Sequence, residues 1–123
     1  MGINRFLKLS SVAAAMAWTP IAANAADPIP APADLPKPAA HVVFGGGDGS
    51  SCREAVVITG TSHEPEGVRA ERWWIFTKNV GGKIAQQSVA EEGGKDLETV
   101  VLVMPDGRHK SMCFDISSFY GKP

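Results

Sequence analysis

The densest run of apolar and β-branched residues in the chain extends from Leu97 to Met104. Gly93-Gly94 precedes this run and Pro105-Asp106-Gly107 follows it. Both groups favour turns, because glycine tolerates positive φ and proline fixes φ at the first turn position. The pattern therefore predicts a central β-strand that belongs to a meander.

Three further segments have the pattern of strands. Residues 83–91 alternate weakly and are mostly polar, as in an edge strand, whereas residues 109–117 alternate regularly and predict a half-buried strand. In that segment Met112, Phe114 and Ile116 should face a covering helix. Residues 55–58 form a continuous apolar run before Gly60, which predicts a strand with both faces at least partly covered.

One helix is predicted, from about Glu64 to Asn79. Hydroxyl groups, acidic side chains and Pro65 cluster at its start, and Gly81-Gly82 follows its end. The helical spacing of its apolar face predicts core packing rather than an aromatic ligand platform. The residues assigned to that face are Ala70, Trp73, Trp74 and Thr77.

These elements predict a two-layer α+β domain of order β-α-β-β-β, with one helix packed on a four-strand, mostly antiparallel sheet. A right-handed crossover would place residues 55–58 parallel to a neighbouring strand, either 83–91 or 109–117. Residues 97–104 are apolar on both faces, and one helix covers only one face. We therefore expect the second face to be shielded by residues 42–44, by Phe119 and Tyr120, or by a second subunit.

The first 25 residues have the pattern of a secretory signal peptide. Arg5 and Lys8 precede an apolar run that ends at Ala23-Asn24-Ala25, and the run is too short and interrupted for the roughly 20 apolar residues of a membrane span. Residues 26–40 contain five prolines, which predicts an extended arm that acts as a spacer. Residues 41–123 are predicted to form a single domain.

Charge and cysteine content narrow the classes of function. Cleavage after residue 25 removes two of the 12 basic residues and leaves 10 against 13 acidic ones, a net charge of −3, so a nucleic acid partner is not expected. Export exposes Cys52 and Cys113 to an oxidising compartment, which predicts a disulfide between them; free thiols are the alternative. The same reasoning predicts a periplasmic or secreted protein of bacterial type, with no membrane span after cleavage.

The residues capable of catalysis do not form a recognisable set. Pro65 and Gly67 exclude an H-E-x-x-H zinc helix, and no G-x-S-x-G elbow is present. Gly46-Gly47-Asp48-Gly49-Ser50 resembles the GGDG-(Ser/Thr) signature of the diacylglycerol and NAD kinase superfamily. Those enzymes need a larger two-domain body, however, and a further β-branched stretch follows here instead of a long helix. We therefore interpret residues 45–51 as a glycine loop that leads into the domain.

Taken together, four segments resemble a group of short exported bacterial proteins with no assigned function. The segments are FGGGDGSSC at 44–52, AVVITG at 55–60, EGVRAERWW at 66–74 and FDISSFYG at 114–121. The resemblance implies a single exported domain and carries no activity, cofactor or site.

The sequence favours a non-catalytic binding or accessory module without a metal or cofactor, whose partner is a protein or an envelope component and which is a monomer or a homodimer. The alternative is a small hydrolase or thiol enzyme that uses Cys52 or Ser51 with a histidine. The surface predicted to contact a ligand or partner consists of Asp48, Ser50, Ser51, Arg53, Phe119 and Tyr120.

Overall fold

The structure is a computed structural model and describes residues 27–123, so the predicted signal peptide lies outside the described residues. It contains one helix and five strands within that range. In chain order these are β1 (Val43–Gly46), β2 (Val56–Thr59), α1 (Glu64–Lys78), β3 (Lys83–Glu92), β4 (Lys95–Val103) and β5 (His109–Asp115). The α+β class agrees with the sequence analysis.

The sheet is five-stranded and mixed, with the order β1-β2-β5-β4-β3, so the prediction of four mostly antiparallel strands was wrong. The extra strand is β1, which pairs antiparallel with β2 through residues expected to form a glycine loop. Glycine is needed where the two segments converge, because a Cβ on Gly47 would lie 2.4 Å from the Glu54 carbonyl oxygen. Strand β2 is parallel to β5, one of the two arrangements that the crossover rule allowed.

The hairpin of β3 and β4 closes through Gly93 and Gly94, whose φ angles are 59° and 81°. Two successive residues with positive φ form the type of turn that matches the twist of a tight hairpin. Strand β4 lies between β3 and β5 and is antiparallel to both, which confirms the predicted meander. The register shifts between Ile84 and Gln86, so that Gln87 pairs with Val100.

The core lies between α1 and one face of the sheet. Val100, Leu102 and Phe114 are fully buried there, and the Trp74 ring meets the Phe114 ring edge-on at a centroid distance of 5.6 Å. Met112 is also buried and accepts a hydrogen bond at its sulfur from Asn79 Nδ2 at 3.5 Å. The expected helix-facing positions of β5 are therefore confirmed.

The helix ends one residue earlier than predicted and begins without a side-chain cap. Its N-cap residue is His63, and the expected hydroxyl is used differently, since Thr61 Oγ1 donates to Glu66 Oε1 at 2.6 Å. Thr77 was assigned to the apolar face but is exposed, and its hydroxyl donates to the Trp73 carbonyl oxygen at 2.6 Å. Glu71, which the sequence analysis did not place, is buried instead.

Neither of the proposed intramolecular shields covers the second face of the sheet. Phe44 projects toward the helix, where its ring lies 5.8 Å from that of Trp73. Phe119 is also on the helix side, so close that a Cβ on Gly67 would lie 2.2 Å from its ring. The two intramolecular versions of that prediction were therefore wrong, while cover by a second subunit stays a prediction. Val101 and Val103 on the second face are partly exposed.

Cys52 and Cys113 form a disulfide with a Cα–Cα distance of 5.0 Å, which confirms the predicted pairing. The bond joins the loop before β2 to β5 across 61 residues of chain. Closing a loop of this length stabilises a fold by about 4 kcal/mol in the chain-entropy model.

The described part of the proline-rich segment runs along the domain. The backbone of Ile29 exchanges two hydrogen bonds with that of Ile84 in β3, at 2.8 and 2.7 Å. Leu35 packs against the core, and the chain then enters β1 at the opposite edge of the sheet. In the region that the structure describes, no helix has the length and apolarity needed to cross a membrane.

Candidate functional site: a buried carboxyl pair

Two carboxyl groups meet inside the interface between the helix and the sheet. Glu71 lies on α1 and is 1% exposed, and Glu98 lies on β4 and is 7% exposed. Each occupies the apolar face of its element: Glu71 is three residues before Trp74, and Glu98 is two residues before Val100. The packing of helix on sheet therefore forces the two side chains together.

Burial raises the pKa of Glu71 well above its ordinary value of 4.5. A hydrogen bond with Glu98 and the charge of that group raise the pKa of Glu71 further, and the nearby charge of Arg72 opposes the shift. Removing a carboxylate from water disfavours its charged form, and a second carboxylate adds repulsion. The pair therefore holds a proton at a pH where an exposed glutamate would have lost it.

Gln87 on β3 fixes the partners of this pair. Its Nε2 donates to Glu98 Oε2 at 2.9 Å, and its Oε1 accepts from Arg72 Nη2 at 3.5 Å. Two atoms remain without a hydrogen-bond partner among the described residues although both are buried: Glu71 Oε2 and Arg72 Nε. Buried polar atoms in folded proteins almost always have hydrogen-bond partners, so two unpartnered atoms on adjacent residues need an explanation.

These side chains line a cavity of about 170 Å³, which we call the carboxyl cavity. Val68, Val89 and Ile116 supply apolar walls. The residues that define it here are Glu71, Arg72, Gln87, Glu98, Phe119 and Tyr120. A proton-sharing carboxyl pair beside a guanidinium can bind hydrogen-bond donors and cations, or it can exchange a proton with a bound molecule.

This pair was not predicted from the sequence, although the residue pattern contains a signal for it. Glu71 falls on the helical face that contains Ala70 and Trp74, and Glu98 has the same strand parity as Val100 and Leu102. An acidic residue on the apolar face of each of two elements predicts a buried pair if those faces pack together. The register that brings them opposite each other is visible only in the fold.

The six residues predicted to contact a ligand or partner lie in separate places. Phe119 and Tyr120 line the carboxyl cavity. Asp48 and Ser50 line a cleft of about 420 Å³ at the other end of the helix, together with Trp74. Arg53 lies in a third depression beside Cys52.

The loop at 48–51 is held by its own hydrogen bonds. Asp48 Oδ1 accepts from the Ser50 amide at 2.9 Å, and this bond lowers the pKa of Asp48. Ser51 Oγ accepts from the Glu54 amide at 3.3 Å. These contacts form turns and leave the Ser51 hydroxyl in an exposed position.

The catalytic alternative depended on Cys52 or Ser51 with a histidine. Cys52 is in the disulfide and is not a thiol. His41 Nε2 contacts Glu66 Oε2 at 2.8 Å, and His63 Nδ1 contacts the Pro123 carbonyl oxygen at 2.8 Å. Both of these histidines therefore have other partners.

Comparisons with known proteins add no further identification. No family model, curated protein or solved structure matches this chain. Within residues 27–123, no group of three or more His, Cys, Asp or Glu side chains is arranged to hold a metal ion.

Proposed function

We propose that this protein is a small exported module that binds a ligand in the carboxyl cavity without transforming it. The observation that carries this proposal is the buried Glu71 carboxyl, whose Oε2 has no hydrogen-bond donor among the described residues other than the proton that Glu71 shares with Glu98. Leaving a buried acceptor unpaired costs about 1–3 kcal/mol. A ligand that supplies a donor removes this cost on binding, and a perturbed carboxyl group in a cavity is a physical marker of such sites.

Two observations support binding rather than hydrolysis or thiol chemistry. The nucleophile candidate Cys52 is bonded to Cys113, and among the described residues no hydrogen bond joins Ser51 Oγ to a histidine. The histidines at positions 41 and 63 contact Glu66 and Pro123 instead of either nucleophile. A nucleophile without an adjacent base reacts slowly near neutral pH.

Export to the periplasm or to the medium is supported by the disulfide. Disulfides persist in oxidising compartments and are rare in the reducing cytosol. The partly exposed second face of the sheet leaves room for the proposed protein or envelope partner, whereas the carboxyl cavity, with a volume of about 170 Å³, suits a small molecule.

A ligand screen tests this function. The disulfide-intact protein is mixed with pools of small metabolites of different chemical classes, and its melting temperature is measured. We expect at least one pool to raise the melting temperature, and Glu71→Gln to abolish that rise. Glu92→Gln is the matched control, because Glu92 is exposed at the end of β3 and outside the cavity.

Three results would contradict the proposal. The first is that no pool stabilises the protein, and the second is that Glu71→Gln responds as the original protein does. The third is that mass spectrometry finds a stabilising compound chemically converted after incubation, which would restore the enzyme alternative.

A further inference from the structure

The two unpartnered atoms of the carboxyl cavity have opposite hydrogen-bonding character. Glu71 Oε2 is an acceptor once the proton shared with Glu98 has left, and Arg72 Nε–H is a donor; both atoms are buried on adjacent residues of α1. One molecule that satisfies both must present a donor and an acceptor a few bonds apart.

The charges of the cavity indicate which donor and which acceptor fit. Glu71 and Glu98 place two carboxyl groups in contact, a setting that favours a cation between them. A primary ammonium group supplies three donors and one positive charge. A guanidinium, in turn, matches a carboxylate more closely than other acceptors do.

The hydrogen bonds of Gln87 hold the carboxyl pair and the Arg72 guanidinium at separate positions in the cavity. Gln87 holds Glu98 through its Nε2 and Arg72 through its Oε1, so the negative and positive parts of the site are fixed relative to each other. The volume of about 170 Å³ is below the 300–1,000 Å³ of typical drug-sized sites, so the ligand must be small. Val68 and Ile116 leave an apolar wall for a short side chain.

From this arrangement we infer that the carboxyl cavity binds a free α-amino acid with a small apolar side chain. The ammonium group lies between Glu71 and Glu98, and the carboxylate accepts from Arg72 Nε. This inference rests on the proposed function and adds the chemical class of the ligand.

Binding of the ammonium group is coupled to release of a proton, so the pH dependence of the affinity provides a second test. The empty pair retains a proton, and an ammonium group that takes its place releases that proton, so affinity rises with pH until the pair is fully ionised. The titratable groups that face Glu71 are Glu64 and Arg72 on α1, Glu98 on β4 and the Tyr120 phenol after β5; β3 contributes the uncharged Gln87.

The test uses calorimetric titration of the disulfide-intact protein with glycine, L-alanine, L-valine and L-leucine. Two matched probes each lack one charged group of valine: isobutylamine lacks the carboxylate, and isovalerate lacks the ammonium group. We expect each to bind at least about tenfold more weakly than L-valine. Glu71→Gln and Arg72→Gln should each lower the affinity for L-valine by at least about tenfold, and Glu92→Gln should leave it unchanged.

The outcomes separate this inference from the proposed function. If isobutylamine or isovalerate binds as tightly as L-valine, or if Glu71→Gln keeps its affinity, the inference is wrong. The proposed function then stands only if the metabolite screen finds a ligand of another class. If neither the screen nor the amino acids give binding, both are wrong.

A variant that fails to fold does not block the test, because the pH readout uses the unsubstituted protein. Affinity for L-valine should be higher at about pH 8 than at about pH 5, because loss of the shared proton frees the carboxyl pair for the ammonium group. An affinity that does not change over this range would overturn the assigned position of the ammonium group.

Discussion

The same helix and sheet build two regions of opposite character. Toward the C-terminal end of α1, Trp74 and Ile75 pack on Val100, Leu102 and Phe114, and we call these five residues the apolar region. Toward its N-terminal end, Glu71 meets Glu98 in the carboxyl cavity. Both regions are buried, but only the second contains polar atoms without partners.

This difference separates residues that stabilise the fold from residues that are retained although they lower its stability. Burying an apolar side chain contributes about 1.5–3 kcal/mol, whereas a buried unpaired polar group opposes folding. A chain under selection for stability alone would place leucine or methionine at position 71. We therefore infer that the carboxyl cavity is retained for binding, and four measurements test the contrast.

The largest effect is expected in the apolar region. Phe114→Ala removes a fully buried ring that contacts Trp74, and it should lower the free energy of unfolding by about 3–5 kcal/mol. Urea unfolding measures the change. Val80→Ala is the control, because Val80 is 79% exposed and its truncation should cost less than about 0.5 kcal/mol. Equal losses in the two variants would contradict the assignment of the core.

The disulfide should stabilise both regions, because it acts mainly on the unfolded chain. Replacing Cys52 and Cys113 together by serine should cost about 2–4 kcal/mol. Once the lower overall stability is allowed for, ligand affinity at the carboxyl cavity should not change, since the bond joins the loop to the other face of the sheet. Urea unfolding and calorimetry of the double variant check the two statements. A stability equal to that of the unsubstituted protein would contradict the first.

Substitution inside the carboxyl cavity should act in the opposite direction. Glu71→Leu removes the unpaired oxygen and the repulsion with Glu98, and Glu98 keeps its bond from Gln87. We expect the free energy of unfolding at about pH 8 to rise by about 1–2 kcal/mol, as when buried ionic groups are replaced by apolar ones. Thermal and urea unfolding measure this. A loss of stability similar to that of Phe114→Ala would show that Glu71 is a structural residue.

The smallest effect is a dependence on pH. The pKa of Glu71 is raised in the folded state, so its contribution to stability is fully present below its ordinary pKa of 4.5 and is lost as pH rises through the folded-state pKa. The difference in free energy of unfolding between the original protein and Glu71→Gln should therefore fall as pH increases. The lowered pKa values of Asp48, Glu66 and Asp106 affect both proteins equally and cancel. A difference that stays constant with pH would contradict the buried, protonated state of Glu71.

Much of the fold could be predicted from local patterns. The alternation of residues 109–117 identified β5 and its helix-facing side, and the glycine pairs identified the turn between β3 and β4 and the end of α1. Strand β1 was missed because Gly45 and Gly46 lack the side chains that mark a strand. These two glycines pair with β2 through backbone hydrogen bonds. Almost any residue type can form such bonds, so the sequence pattern does not predict them.

The sequence by itself determined the number and order of the other elements and their apolar faces, because residue periodicity and turn residues act over short stretches of chain. It also determined the cysteine pair, because the export signal indicates an oxidising compartment in which two cysteines form a disulfide. Only the tertiary structure decided that β1 joins the sheet, that Phe119 packs on Gly67 and that Glu71 faces Glu98. The contacts of Phe119 with Gly67 and of Glu71 with Glu98 join residues far apart in the chain, and β1 reaches β2 only across an irregular loop. Their pairing depends on strand register and on the position of the helix across the sheet, and the packing of the whole domain sets both.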